Sequence, residues 1–248
     1  MFPLRDDNPT LSNPYVTIGL LGLNILAWLG LQGAGSEPWL TRSVCGFGLI
    51  PGELLGIAPN GLQVQVGPDA VCEINHASAS WLTPIYSMFL HGGWLHLLGN
   101  MWFLWVFGNN VEDSMGRVRY LAFYLMCGLA AAAAQTFANP ASPIPMVGAS
   151  GAIGGVMGAY LSLFPWARVD MLIILGFYVT RAAVPAMFML GYWFVLQSLG
   201  GIPRMSPEGG VAFWAHVGGF VSGFLLSCVF RDQERVAAHR RLAGSRLH

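Results

Sequence analysis

The sequence predicts an all-α membrane protein: six transmembrane helices in one bundle, with a long membrane-associated loop after the first. Three observations carry that expectation. Hydrophobic residues fill 54% of the 248 positions and charged residues only 10%, where a soluble domain carries about 25% charged residues. Six apolar stretches are separated by polar or Pro/Gly-rich connections. Counting six crossings also sorts the cations onto one side, as shown below. Formal net charge is zero, so no basic surface points to a nucleic-acid partner; the partner the composition demands is the lipid bilayer. Nothing in the chain sets an oligomeric state.

Residues 1–14 form a short polar leader containing Pro3, Pro9 and Pro14, with Arg5 offset by Asp6 and Asp7. The first span, residues 15–31, is long enough to cross roughly 30 Å of hydrocarbon at about 1.5 Å per residue. Its net-acidic leader argues for a retained anchor over a cleaved signal, which would carry a basic start. Residues 33–80 make a long connection with Glu37, Glu53, Asp69 and Glu73. Within it, residues 47–57 (FGLIPGELLGI) are apolar but broken by Pro51 and Gly52, which suits a loop lying against the membrane surface better than a crossing.

The second span covers residues 94–107, led in by an apolar stretch from Trp81 to Leu90. The third covers 120–137 and the fourth 150–164. A mixed segment with Arg168, Asp170 and Arg181 follows, too short between its charges to cross. The fifth span covers 182–199 and the sixth 211–230; residues 231–248 form a charged tail. Six crossings place both termini on one side, together with Arg5, Arg117, Arg119, Arg168, Arg181 and the five tail arginines. Only Arg42 and Arg204 of the twelve cations face the other way. Cytoplasmic loops carry the Lys/Arg excess, so both termini are expected in the cytoplasm. The expected domains are the leader 1–14, a membrane domain 15–230 and the tail 231–248.

Parity then gathers the polar residues. Spans two, four and six all enter from the outer side. Ser150 opens span four, in PMVGASGAIGGVMGAY; His91, His96 and Asn100 lie at the start of span two; His216 lies just inside span six. His96 and Asn100, four apart, share a helix face. Polar groups inside spans are expensive and mark sites. Ser150, Gly154 and Gly158 form one stripe of small residues, and His216, Gly219 and Gly223 another, so the two helices can approach closely. Gly148 and Gly151 flank the serine. Packing the stripes together would set an imidazole beside a hydroxyl, the minimum for an activated nucleophile. With no carboxylate in sight for His216, the natural assignment is a dyad. His96, Asn100 and the Ser150 backbone N–H could stabilise an oxyanion. Taken alone, a Gly-rich packing helix capped by a serine would explain the Ser150 segment as well.

These motifs together, GASG opening a Gly-rich span, HxxxN in the second and AH before a GxxxG face in the sixth, resemble the rhomboid family of intramembrane serine proteases. The likeness runs over about residues 15–230 and includes span order. It implies a rhomboid-like six-helix bundle in which Ser150 is the nucleophile, His216 its base, and His96 and Asn100 line the oxyanion hole. It further implies transmembrane protein substrates cut in or near their membrane segments, with no cofactor and no metal. The implied location is the inner (plasma) membrane of a bacterium, with the site near the outer face. A catalytically silent relative that escorts membrane helices is the alternative; such a protein is expected to lack the serine or the histidine.

Two departures stand out. Many bacterial members carry Tyr four residues after the serine, where this chain has Gly154, and a Trp-Arg pair in the first loop is missing. His91 lacks the spacing of an HExxH zinc motif, and a structural hydrogen-bonding role is expected of it, not metal ligation. Asn24, Gln135 and Gln197 are expected to bond between helices, and Glu112 to reach Arg117 or Arg119. Cys127 and Cys228 read as packing residues. Cys45 and Cys72, both in the external loop, are placed to pair or to remain free.

Overall fold

A computed structural model describes residues 2–67, 70–77, 79–200 and 212–245. Asp69, Arg204, Val211 and Arg246 lie outside the described residues. The chain is mostly helical. It opens with strand β1 (Phe2–Asp6) and helix α1 (Tyr15–Gly30), followed by α2 (Trp39–Phe47), α3 (Pro51–Leu54), β2 (Gln63–Gln65), β3 (Val71–Glu73) and α4 (Thr83–Tyr86). Two long helices come next, α5 (Trp94–Met115) and α6 (Arg117–Ala138), then α7 (Ser150–Leu163). Strands β4 (Arg168–Leu175) and β5 (Tyr178–Pro185) precede α8 (Ala186–Gly200), α9 (Phe213–Phe230) and α10 (Gln233–Ser245). Two helices, α6 and α9, are individually long and apolar enough to cross a membrane; α1, α7 and α8 are shorter and apolar.

The all-helical expectation therefore needs correction. The mixed segment around Asp170 is a β-hairpin, turning through Gly176 at φ 60° and Phe177. Glycine as the first of two turn residues suits the twist of a tight hairpin. Strand β1, taken from the polar leader, pairs antiparallel with β4 to complete a sheet of order β1-β4-β5. An Arg5–Asp170 ion pair at 2.9 Å joins them. Helix α8, in place of the expected fifth span, starts at Ala186 because Ala182 to Pro185 belong to β5. Helix α5, in place of the second, extends to Met115, eight residues past the expected end.

Why the helices pack as they do follows from their small residues. Helix α7 is buried along almost its whole length and sits at the centre. A methyl group built on Gly219 of α9 would overlap the Gly151 carbonyl oxygen, and one on Gly223 the Gly155 carbonyl. On the other flank of α7, a methyl on Gly151 would sit 2.5 Å from Ala131 of α6. The α7 and α9 backbones thus touch with nothing between them, as small-residue stripes permit, while α6 meets α7 through the short side chains of Ala131 and Cys127.

Below this, α5 ends in two acids that tie down the start of the chain. Glu112 accepts hydrogen bonds from the Val16 and Thr17 backbone N–H groups and the Thr17 hydroxyl, at 2.8–3.0 Å. It caps α1, where orphan N–H groups need an acceptor. The expectation that it would reach Arg117 or Arg119 is corrected: Arg117 stacks on the Tyr15 ring at 4.5 Å, and Arg119 faces Asp232 at 3.7 Å. Asp113 accepts from the Leu11 N–H and the Ser12 hydroxyl.

The described residues of the long first connection fold against the bundle through short helices and a two-stranded sheet. Cys45 and Cys72 form a disulfide, with Cα atoms 5.3 Å apart, joining α2 to β3. Trp39, Phe47, Leu55 and Ile57 are exposed, while Leu49 and Ile50 are buried. Cys127 is buried as a packing residue; Cys228 is exposed on α9.

Candidate active site

Ser150 is the first residue of α7, so the amides of its first turn have no intrahelical acceptor. The segment leading to it is held from two sides. Leu49 and Met146 exchange backbone hydrogen bonds at 3.0 and 2.7 Å, and the Gly52 N–H donates to the Ser142 carbonyl. The Gly148 N–H donates to the Ser87 carbonyl at 2.9 Å. Gly148 has φ 131°, a conformation that disfavours any side chain.

His216 arrives from the first turn of α9, whose Ala215 N–H donates to Gln135 Oε1 of α6 at 3.3 Å. Its Nε2 lies 2.8 Å from Ser150 Oγ, across 66 positions of sequence. Its Nδ1 lies 2.7 Å from Gln197 Oε1 on α8. The Trp193 ring, one turn earlier on α8, lies 5.9 Å from the imidazole, centroid to centroid, at 40°.

His96 and Asn100 come from the first two turns of α5. The Gly92 N–H donates to His96 Nδ1 at 3.2 Å. An acceptor at Nδ1 leaves the neutral ring its proton on Nε2. That nitrogen faces the serine: a methyl group on Gly148 would lie 2.8 Å from His96 Nε2 and 3.5 Å from Ser150 Oγ. The Asn100 amide donates one proton to the His96 carbonyl at 3.0 Å and keeps the second free for another acceptor.

These side chains line one cavity of about 210 Å³. It lies between α5 and α8, with Leu95 and Phe103 on one wall and Trp193 on the other. Six of the residues singled out from sequence meet here or pack directly around it: Ser150, His216, His96, Asn100, Gln197 and Gly148. The glycines Gly151, Gly154, Gly219 and Gly223 form the close contact of α7 with its neighbours.

His91 stands apart. Its buried ring packs edge-on against that of His96, with centroids 5.2 Å apart, and the Gln32 side chain holds its backbone N–H and carbonyl, at 2.8 and 2.7 Å. Burial pushes its pKa down to about 3, which leaves the ring neutral. The expected hydrogen-bonding role thus falls to its backbone. Among the described residues no group of His, Cys, Asp and Glu side chains is arranged to hold a metal ion. Asn24 bonds to Leu20 of its own helix, not across helices. Gln197 was expected to bond between helices, but nothing in its position showed that its partner would be His216.

A hydroxyl held against an imidazole, beside N–H donors at a helix start, is the arrangement that acyl transfer by a serine nucleophile would require. Sequence comparison names the family. Residues 78–233 match the rhomboid domain, and the chain belongs to the rhomboid family. It is 33% identical to RHOMBOID-like protein 5 of Arabidopsis thaliana over 146 residues, 58% of this chain and 42% of that protein. It is 29% identical to rhomboid protease GluP of Bacillus subtilis (strain 168) over 171 residues, 69% of this chain and 30% of that protein. Rhomboid-like protease 5 of Toxoplasma gondii is 32% identical over 147 residues, 57% of this chain and 15% of that protein. The chain spans less than half the length of each of these three relatives. Rhomboids are integral membrane proteins.

Proposed function

We propose that this protein is an intramembrane serine endopeptidase that cuts other membrane proteins in or near their transmembrane segments. The observation that carries the proposal is the 2.8 Å contact between Ser150 Oγ and His216 Nε2 at the cavity. In the first step His216 Nε2 takes the hydroxyl proton as Ser150 Oγ attacks the scissile carbonyl carbon. The resulting oxyanion is met by His96 Nε2–H, the free amide proton of Asn100 and the Ser150 backbone N–H. Collapse breaks the C–N bond, and the imidazolium returns its proton to the departing amine. Water, deprotonated by the same ring, then releases the acyl group from Ser150.

The topology that goes with this reading has six crossings, formed by α1, α5, α6, α7, α8 and α9, with both termini in the cytoplasm of a bacterium. The cavity then opens near the outer face, where water reaches it. A substrate helix enters between α5 and α8, unwinding locally at its own Gly, Pro or polar residues. Retention of both Ser150 and His216 favours the protease over a silent helix-escorting relative.

The test uses purified protein with a panel of single-pass membrane substrates in detergent. Ser150→Ala and His216→Ala are expected to abolish cleavage while the protein stays folded. His96→Ala and Asn100→Ala are expected to lower it by about one to three orders of magnitude. Equal processing by wild type and Ser150→Ala would end the assignment.

A further inference from the structure

Among the described residues no carboxylate bonds to His216, and the structure puts an amide oxygen at its Nδ1. Gln197 Oε1 lies 2.7 Å from Nδ1 of the ring whose Nε2 lies 2.8 Å from Ser150 Oγ. An amide oxygen can only accept a hydrogen bond, so the contact places the ring proton on Nδ1. The lone pair is then on Nε2, facing the hydroxyl. This is the tautomer a general base for Ser150 needs.

The rest of α8 supports the same geometry. Trp193 and Gln197 are four residues apart and share a helix face. Trp193 walls the imidazole at 5.9 Å, and a methyl on Gly154 would meet the same indole at 3.8 Å. The ring is therefore confined between α7 and the indole in one direction, and held at Nδ1 in the other.

We propose that Gln197 is a positioning residue for the reaction: from α8 it fixes the tautomer and the rotation of His216, making a third member beside Ser150 and His216. The inference rests on the serine-protease reading given above. Gln197 meets the imidazole at the nitrogen turned away from Ser150, and acts on the reaction through that ring. A carboxylate at this position can do the same work, since it also only accepts. An apolar side chain cannot, because it leaves Nδ1 without an acceptor and the two tautomers free to exchange.

The experiment measures kcat and KM of the purified full-length protein on one single-pass substrate, with Ser150→Ala as the blank and thermal unfolding recorded for each variant. Gln197→Leu and Gln197→Met are expected to lower kcat by about 10- to 100-fold, part of a general base's usual contribution, with KM changed less than about threefold. Gln197→Glu is expected to restore kcat to within about fivefold of wild type. A merely structural side chain would lower activity in step with unfolding temperature, with no rescue by Glu. Apolar variants at wild-type kcat, or a Glu variant as impaired as Leu and Met while equally folded, would overturn the role of Gln197 and leave the protease reading intact. Processing of the substrate by Ser150→Ala at the wild-type rate would instead remove the protease reading, and this inference with it.

Discussion

Replacing Gly219 by alanine tests whether the Ser150–His216 contact depends on backbone packing alone. A methyl group there would lie 2.9 Å from the Gly151 carbonyl carbon and would overlap its oxygen. Ordinary carbon–carbon contact begins near ~3.5 Å, so α9 must retreat from α7 by at least ~0.6 Å, and by on the order of 1 Å once the oxygen is cleared. The neighbouring atoms are backbone, so no side-chain rotation can absorb the strain. Gly219 lies one turn from His216, on the same helix. A retreat of about 1 Å would stretch the 2.8 Å Ser–His contact beyond hydrogen-bond range. Overpacking of this kind costs about 1–3 kcal/mol of stability. Gly154→Ala is the control, because its methyl would meet the His216 carbonyl oxygen at 3.1 Å, a strain relieved by a few tenths of an ångström. The assay is labelling of Ser150 by a fluorophosphonate, run beside thermal unfolding in detergent. Gly219→Ala is expected to lose labelling by at least tenfold at a temperature where it remains folded, and Gly154→Ala by about threefold or less. Wild-type labelling in Gly219→Ala would refute the claim that glycine packing sets this distance.

Asp6 gives a pH prediction: its half-buried carboxyl accepts from the Tyr160 hydroxyl at 2.5 Å and the Asn110 amide at 2.6 Å, and burial raises its pKa from 3.8 to about 6. The folded state then binds this proton more tightly than the unfolded chain, so its stabilising contribution is full below about pH 4 and is lost as pH rises through about 6. A shift of that size is at most about 3 kcal/mol. Unfolding midpoints should fall between pH 4 and 7 in wild type and fall less in Asp6→Asn; parallel curves would dismiss the idea. Glu112→Ala should lower stability by about 2–4 kcal/mol, since it strands the two backbone N–H groups and the hydroxyl that Glu112 now holds at the start of α1. Proteolytic sensitivity or hydrogen exchange localised to α1 would report it, and unchanged exchange there would count against the cap.

Much of the bundle could be read in the chain because lipid leaves helices few alternatives. In hydrocarbon every backbone group must be satisfied within its own segment, so each apolar run announces itself locally. That is why Ser150 falls at a helix start and why the starts of α1, α5, α6 and α7 lie within three residues of expectation. The sheet escaped for the opposite reason. Strand β4 finds its partner β1 some 165 positions away, Arg5 opposite Asp170, and no local pattern carries that pairing. Gly176–Phe177 between two apolar runs was the available hairpin signal; the flanking arginines and the apolarity of both runs, which suits a membrane segment equally well, hid it. Glu112 shows the same limit: its nearest cations in sequence lost to backbone N–H groups at α1, which only the fold brings near.

The site divides its requirements between two kinds of packing. Distance comes from α7 and α9, whose backbones are in contact, with α6 packed on α7 through Ala131 and Cys127. Orientation comes from α8, which among its described residues buries only Ala186 and Leu190 and reaches His216 through two side chains. Backbone contact resists displacement because no rotamer can relax it, whereas side-chain contact from a lightly buried helix can be given up and re-formed. An outward shift of α8 to admit a substrate helix would therefore leave Ser150 and His216 at the same separation while releasing the ring's rotation. On the serine-protease reading proposed above, the proton would move only with α8 back against the ring, so entry and chemistry would draw on the same helix at different moments.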